Sequence, residues 1–460
     1  MVSSTPGNAV NFSSLLCAAV PSEVSLIGRV LSQAGFRAWA VGGCVRDTIG
    51  SALLPDFDRS VSDWDLCTDA DPAQVSRLFR KVIPTGIEHG TVTVVLSRQH
   101  FEVTTLRGEK GHTDGRRPDE VYFVSDLNDD LARRDFTVNA MAFELSEEKF
   151  ADPFCGVDDL RSRTLRAVGD PERRFAEDGL RVLRCARFGA TLGFNIEERT
   201  RAAIAPSLGS FKKVAGERVR DEWFKALRSP APSRFLQVIH AEKMLSVTAP
   251  GLFADRNAGF AAFDESPAEP VLRLALCCLL GSGKGEAPLT HAKRLSKTLR
   301  LSREQSAELS RLCEYGRLPP PLLQDPSPGS FRHYIASVGA DAIDSVLSVQ
   351  LHRQRAEAAF KPQSEAQKSD TRKSDESAQA RLDDLRRAHS AISEQVAAGH
   401  PFSLRDLAVS GADLIEAGVP PGPALGQTLR ALLQEVLDDP ALNAKATLLE
   451  RAKSTMSSSA

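Results

Sequence analysis

Residues 36–68, FRAWAVGGCVRDTIGSALLPDFDRSVSDWDLCT, decide how the chain is read. Phe36–Val41 has the apolar character of a buried strand, and Gly42-Gly43 ends it where a helix begins. Glycines let the backbone approach a ligand closely, and the N–H groups of a helix start favour phosphate. Arg46 adds a cation suited to a charge-assisted phosphate contact. Further along stands Asp63-Trp64-Asp65, followed by Leu66. On a strand, residues two apart share a face, so both carboxylates project together. Like charges that close invite a cation between them, and hard oxygen ligands beside substrate phosphates select Mg²⁺. Alone, a Gly-Gly strand exit is an ordinary turn and a DxD an acidic edge. Their succession is what points to nucleotide chemistry.

Outward from this stretch, Pro21–Ala34 has helical spacing of Val24, Ile27, Val30 and Leu31. The alternating segments TVTVVL (91–96) and FEVTTL (101–106) predict a hairpin. Glu102 in its second strand suits a metal site or the deprotonation of an attacking hydroxyl, and equally a solvated face. Arg133-Arg134-Asp135-Phe136-Thr137-Val138-Asn139-Ala140 sets two cations and an acid before an amphipathic segment. That fits a sugar–phosphate ligand, or surface charge with Asp135 as an N-cap. In Glu177-Asp178-Gly179-Leu180-Arg181, with Arg184 and Arg187 beyond, Asp178 and Arg181 face one another if the segment is helical. The bland reading is an ion pair worth under ~1 kcal/mol. The sharper one is base reading, because Asp accepts from an exocyclic amine and Arg donates to ring or keto acceptors.

Together these five pieces resemble the class II tRNA nucleotidyltransferases, the CCA-adding enzymes, which share ancestry with bacterial poly(A) polymerases in the DNA polymerase β superfamily. The likeness is dense over roughly residues 21–240. It departs at Trp64, in place of the usual hydrophobic middle residue of the DxD motif, and at Gly179, where many relatives carry Pro or Ala. As a helical glycine, Gly179 would weaken its helix by roughly 1 kcal/mol. The resemblance implies that Asp63 and Asp65 bind two Mg²⁺ ions; Glu102 stays a catalytic candidate from its place on the strand. Gly42, Gly43 and Arg46 would hold the triphosphate, and Arg134 and Asp135, with Asn139, would select the ribose. Asp178 and Arg181, with Arg184, would read the base. Residues 107–121 resemble the family's flexible loop, and Glu217-Arg218-Val219-Arg220-Asp221-Glu222 its ERxxxE brace.

The implied activity is template-independent addition of CCA to the 3′ end of tRNA from CTP and ATP, releasing pyrophosphate. Pro84–Val92 has the nucleotidyltransferase form rather than the basic stretch of poly(A) polymerases, and the segment from Asp406 resembles a tail that grips tRNA. A poly(A) polymerase or an A-adding specialist remains the alternative. A metal-dependent phosphohydrolase finds little support, since the helical half has no HD pair. A non-catalytic RNA-binding protein would be favoured only by substituted carboxylates.

Composition bounds the rest. A chain of 460 residues supports about two to four structural units. No run approaches the ~18 apolar residues of a membrane span. The N-terminal stretch has no Lys or Arg before Arg29, unlike a signal or transit peptide. Eight cysteines without a CxxC pair read as reduced, mostly buried thiols in the cytoplasm. The GSGKG at 281–285 lacks the Ser or Thr of a phosphate loop and reads as a turn.

The expected fold class is α+β: a polymerase-β-like nucleotidyltransferase head (mixed sheet with helices), then an all-α neck, body and tail. The divisions are head 1–160, neck 161–235, body 236–360, a disordered or extended insert 361–381, and a tRNA-binding tail 382–460. The net charge of −2 conceals a split: residues 41–160 hold 13 basic and 23 acidic side chains, residues 161–234 hold 17 and 9. An acidic head suits Mg²⁺ and a basic neck suits phosphates. The partners expected are tRNA, CTP and ATP, with no membrane, for a monomer or homodimer.

Overall fold

The strand signals of the first 160 residues assemble into one mixed sheet. The protein is seen here as a computed structural model describing residues 10–457, apart from 62, 88–89, 111–119, 125, 254–258, 283–285, 325 and 358–370. Its strands are β1 (Ala38–Val41), β2 (Leu66–Thr68), β3 (Val82–Gly86), β4 (Thr91–Leu96), β5 (Gln99–Thr105), β6 (Arg107–Lys110), β7 (Glu120–Phe123), β8 (Ala142–Glu144) and β9 (Lys149–Ala151). Seven of them form a sheet in the order β3-β4-β5-β2-β1-β8-β9, while β6 and β7 pair separately. Within that seven-stranded sheet only β2 and β5 run parallel, Leu66 beside Val103; its other pairs are antiparallel.

The β4–β5 hairpin is the one expected. It turns on Ser97 and Arg98, both at positive φ (49° and 65°), which suits the right-handed twist of the flanking strands. Val92, Val94, Phe101 and Val103 bury one face of it. At the centre of the sheet Trp39, Val41, Cys67, Leu106, Leu131, Ala140 and Ala142 form one apolar cluster. The helix expected near 21–34 spans Ser22–Gln33 and buries Val24, Ile27 and Leu31.

Two compact units divide the chain: Met1–Ser229 with Arg234–Val247, and Pro230–Ser233 with Thr248–Ala460. The first thus contains the sheet together with the helices Pro171–Glu177, Leu180–Leu192 and Gly216–Leu227. In the second, Pro270–Gly281 is buried along its whole length, packed by Pro288–Thr298, Arg303–Glu314 and Ile343–Glu357. Of the stretch read as an insert, residues 361–370 lie outside those described, and 371–381 open the helix Thr371–Ala397. Lack of apolar side chains rules out burial but not helix. Lys, Arg, Glu, Gln and Ala are strong helix formers, and the helix is anchored further on by buried Leu385, Ala388 and Ile392.

Cys44, Cys67, Cys185, Cys277, Cys278 and Cys313 are buried, Cys17 and Cys155 exposed, and all are free thiols. Among the described residues no single helix is long and apolar enough to cross a membrane. Residues 283–285 of the glycine-rich turn and 111–119 of the expected flexible loop lie outside the described residues.

Candidate active site

The chain leaves β1 through Gly42, whose φ of 76° opens the helix Gly43–Leu53. A side chain at Gly42 would meet Arg134 Nη1 at 3.1 Å and Asn139 O at 3.9 Å, so glycine keeps this corner open. Asp63-Trp64-Asp65 lies just before β2 rather than on it, because the ladder begins at Leu66. The extended alternation survives nonetheless. Trp64 is buried, Asp63 and Asp65 are exposed, and the Asp65 carbonyl accepts from the Val41 N–H at 3.0 Å. The Trp64 ring therefore anchors the motif from behind while both carboxylates face solvent.

One recess of about 410 Å³ gathers most of the residues singled out from sequence: Gly42, Gly43, Arg46, Asp65, Arg134, Asp135, Asn139, Asp178, Arg181 and Arg184. Asp63 and Glu102 are not among its lining residues. Glu102 is exposed on β5, and one step back along the parallel register from Leu66–Val103 puts it beside Asp65. Arg133, Leu180, Phe188 and Arg218 complete the lining.

A continuous polar chain links the two ends of the recess. Arg46 donates to both Asp47 oxygens at 2.8 and 2.9 Å and to Asn139 Oδ1 at 2.5 Å. Asn139 donates to Asp135 Oδ1 at 3.1 Å, and Arg184 reaches Asp135 Oδ2 at 2.6 Å. Arg184 also approaches Glu222 at 3.6 Å, and Arg187 pairs with the same carboxylate. Burial would raise the Asp135 carboxyl, but Arg184 and the Asn139 amide outweigh it and hold the group at about 2. Asp135 is thus a permanent anion tying the head to the neck helices, not a helix cap. Phe188 underlies the cluster, with the guanidinium carbons of Arg187, Arg184 and Arg46 at 3.8, 5.1 and 5.5 Å from its ring centre.

Two further acids take partners that local sequence patterns do not announce. Asp130 is fully buried and holds both arginines of the 133–134 pair, at 2.7 and 3.1 Å. Sequence reasoning missed it; its signal is the i,i+3 and i,i+4 spacing to those arginines. Nε of Arg134 is buried with no partner among the described residues, a donor left for a ligand. Asp178 and Arg181 do not pair with each other. Asp178 ends the helix Pro171–Glu177, and its carboxylate takes a two-pronged contact from Arg218 at 3.2 and 2.7 Å. Arg181 instead donates to Glu177 at 2.9 Å and to the Arg133 carbonyl at 2.8 Å. The segment is not one continuous helix: it is broken at Asp178-Gly179, between Pro171–Glu177 and Leu180–Leu192, which turns the two side chains to different partners.

Although Asp65 is exposed as a residue, its carboxyl loses part of its hydration at the recess and is pushed up, with Arg134 pulling the other way and the like charge of Asp63 adding to the rise. A divalent cation between the two carboxylates would remove that repulsion. Among the described residues no third His, Cys, Asp or Glu joins them in a ligand cluster. Two carboxylates completed by substrate phosphates are the donor set Mg²⁺ favours, so the residues present fit such an ion.

Known proteins carry the same pattern. Residues 38–166 match the poly(A) polymerase head domain, 193–255 the RNA- and SrmB-binding site of polymerase A, and 350–452 the tRNA nucleotidyltransferase domain 2. The CCA-adding enzyme of Limosilactobacillus fermentum is 33% identical over 94% of this chain and 97% of its own length. This chain belongs to the CCA-adding enzymes. A second member of that family, from Lacticaseibacillus paracasei, is 36% identical over 88% of this chain and 89% of its own. The family's fold is shared as well: the Bacillus stearothermophilus CCA-adding enzyme, solved in complex with CTP, superposes with a TM-score of 0.68 at 26% identity, over 98% of this chain and all of the other.

Proposed function

We propose that this protein adds cytidylate, cytidylate and adenylate in turn to the 3′ end of tRNA, using CTP and ATP. One observation carries the reading: a strand-exit glycine pair, a carboxylate pair's inner member and the Asp178–Arg218 and Asp135–Arg184 pairs converge on a single recess. The length-wide kinship with CCA-adding enzymes supports it.

In the reaction, the 3′-hydroxyl oxygen attacks the α-phosphorus, a P–O bond forms, and the α–β bridging bond breaks. Pyrophosphate leaves with that electron pair. Asp63 and Asp65 would hold Mg²⁺, which when bound neutralises charge on the transferring phosphates. Glu102, beside Asp65, takes the hydroxyl proton. Gly42, Gly43 and Arg46 receive the triphosphate, with the unpartnered Arg134 Nε aimed at phosphate or ribose. Asn139 and Asp135 hold the sugar end. Asp178 and Arg181 present an acceptor and donors to the base, a pattern that suits both cytosine and adenine through their exocyclic amines. The eight free thiols suit a cytoplasmic setting.

The deciding experiment offers a tRNA transcript lacking its last three nucleotides, with Mg²⁺ and each nucleotide separately and together. Two C additions from CTP, then one A from ATP, are expected. Long A tails would make it a poly(A) polymerase, A addition only to a transcript ending in CC an A-adding specialist, and phosphate release without extension a hydrolase.

A further inference from the structure

A second recess lies on the same sheet, at the far end of the β4–β5 hairpin. It is lined by Arg80, Lys81, Val95, Arg98 and His100, with about 600 Å³ of open space and no acid in its lining. Its four basic side chains are exposed. This is unusual for the head. Residues 41–160 carry ten more acids than bases, and Arg46, Arg59, Arg133 and Arg134 are each ion-paired to a head carboxylate. Arg80, Lys81, Arg98 and His100 have no such partner among the described residues. Three uncompensated cations, Arg80, Lys81 and Arg98, are kept together with His100 where local electrostatics alone would supply them with acids.

Register tells which face they occupy. His100 pairs with Val95, and the Val95 N–H donates to the Lys81 carbonyl at 3.0 Å, so these three form one row across β5, β4 and the start of β3. The next row on that face is Glu102, Thr93 and Ile83. Glu102 is two residues along β5, about 7 Å away, and one step back along the register from Leu66–Val103 puts it beside Asp65, just before β2. In the Glu102 row and beyond it, on the side away from His100, the surface carries paired hydroxyls, Thr85 with Thr93 at 2.9 Å and Thr91 with Thr104 at 3.0 Å. The face therefore sets its basic row directly beside Glu102, with neutral hydroxyls level with that carboxylate and beyond it.

We propose that Arg80, Lys81, Arg98 and His100 bind backbone phosphates of the RNA strand whose 3′ end is being extended, a few nucleotides behind the reacting hydroxyl. The assignment rests on the reading of the recess at Gly42–Asp65 as the nucleotidyl-transfer site. Stacked nucleotides rise about 3.4 Å each, so a span of roughly 7–14 Å from Glu102 to the cations covers two to four of them. The incoming triphosphate is the weaker occupant, because the Gly42–Gly43 corner and Arg46 already serve it and none of these four residues lines that recess. Point charges on a surface without base-reading geometry fit phosphates, so the interaction is independent of RNA sequence.

The test compares the wild type with the triple variant Arg80→Gln, Lys81→Gln, Arg98→Gln. Filter binding of a CCA-less tRNA transcript is measured across a salt titration, and steady-state KM values for CTP are measured alongside. The triple variant is expected to bind on the order of tenfold more weakly at low salt, with a salt slope shallower by about 1 for each phosphate it no longer neutralises. KM for CTP stays at the wild-type value. The double variant Arg80→Lys, Arg98→Lys retains wild-type affinity and slope, since phosphates ask here for charge alone. An unchanged Kd and slope in the triple variant, or a raised KM for CTP at unchanged RNA affinity, overturns the proposal. RNA binding is read without turnover, so a wild type that binds RNA but adds no nucleotide refutes the proposed function while leaving this comparison to be judged separately.

Discussion

Replacing Gly179 by alanine should destabilise the unit that holds the active site, against what its position in a helical-looking stretch implies. A glycine inside a helix costs about 1 kcal/mol relative to alanine, so a sequence reading expects Gly179→Ala to stabilise. The structure reverses the sign. Gly179 precedes the first residue of the helix Leu180–Leu192, where alanine has no propensity advantage over glycine. An added Cβ would lie 2.4 Å from the Ser210 carbonyl oxygen, 2.5 Å from its carbon and 2.6 Å from the Phe211 nitrogen. All three are backbone atoms of the turn Leu208–Phe211, which would have to retreat by about 1 Å to restore van der Waals contact. Overpacking of that kind costs typically 1–3 kcal/mol. At roughly 2–4 °C per kcal/mol for a unit of this size, the melting temperature should fall by about 2–12 °C. Because Asp178 and Leu180 flank the substitution and Arg218 grips Asp178, KM for both nucleotides should rise as well. Calorimetric or circular-dichroism melts with nucleotide kinetics check both parts. A variant that melts at or above the wild-type temperature refutes the reasoning.

Three other outcomes are expected. Asp65→Ala should lower kcat by at least about a thousandfold, the worth of several kcal/mol at the reacting phosphate, with an unchanged melt; near-normal turnover sinks the carboxylate assignment. Arg218→Gln should raise KM for CTP and ATP about tenfold by releasing Asp178, and Arg218→Lys should restore it only in part, since an ammonium cannot make the two-pronged contact. Asp135, depressed from 3.8 to about 2, contributes stability that is complete above pH ~4 and is lost as pH falls through its folded value. The stability gap between wild type and Asp135→Asn, followed by urea unfolding, should therefore be flat from pH 7 to about 4.5 and shrink by about 2 kcal/mol toward pH 2; a gap independent of pH down to 2 would contradict it.

Much of the site was legible because its chemistry sits in short local patterns. Gly42-Gly43 at a strand end, the spacing of Asp63 and Asp65, and the paired arginines at 133–134 each state their character within a few residues. The hairpin was legible for the same reason, since alternation in TVTVVL and FEVTTL is a property of neighbours. What stayed hidden depends on partners far along the chain. Asp178 looks like the partner of Arg181, three residues away, yet it is held by Arg218, forty residues away. Trp64 looks like a departure and proves to be the buried back of the carboxylate motif. The polar run 371–381 looks unstructured because composition reports burial, whereas helix formation there draws on propensity and on packing further down the same helix.

The sequence by itself determined the class of chemistry, the order of strand-rich head before helical remainder, and the identity of the groups that meet phosphate. Only the tertiary structure decided which charges pair, which stay open to a ligand, and that Gly179 is a packing requirement rather than a weak point. The physical reason is one of range. Propensity and alternation act between residues near in sequence, while ion pairing and steric exclusion depend on distances in space that only the folded chain sets.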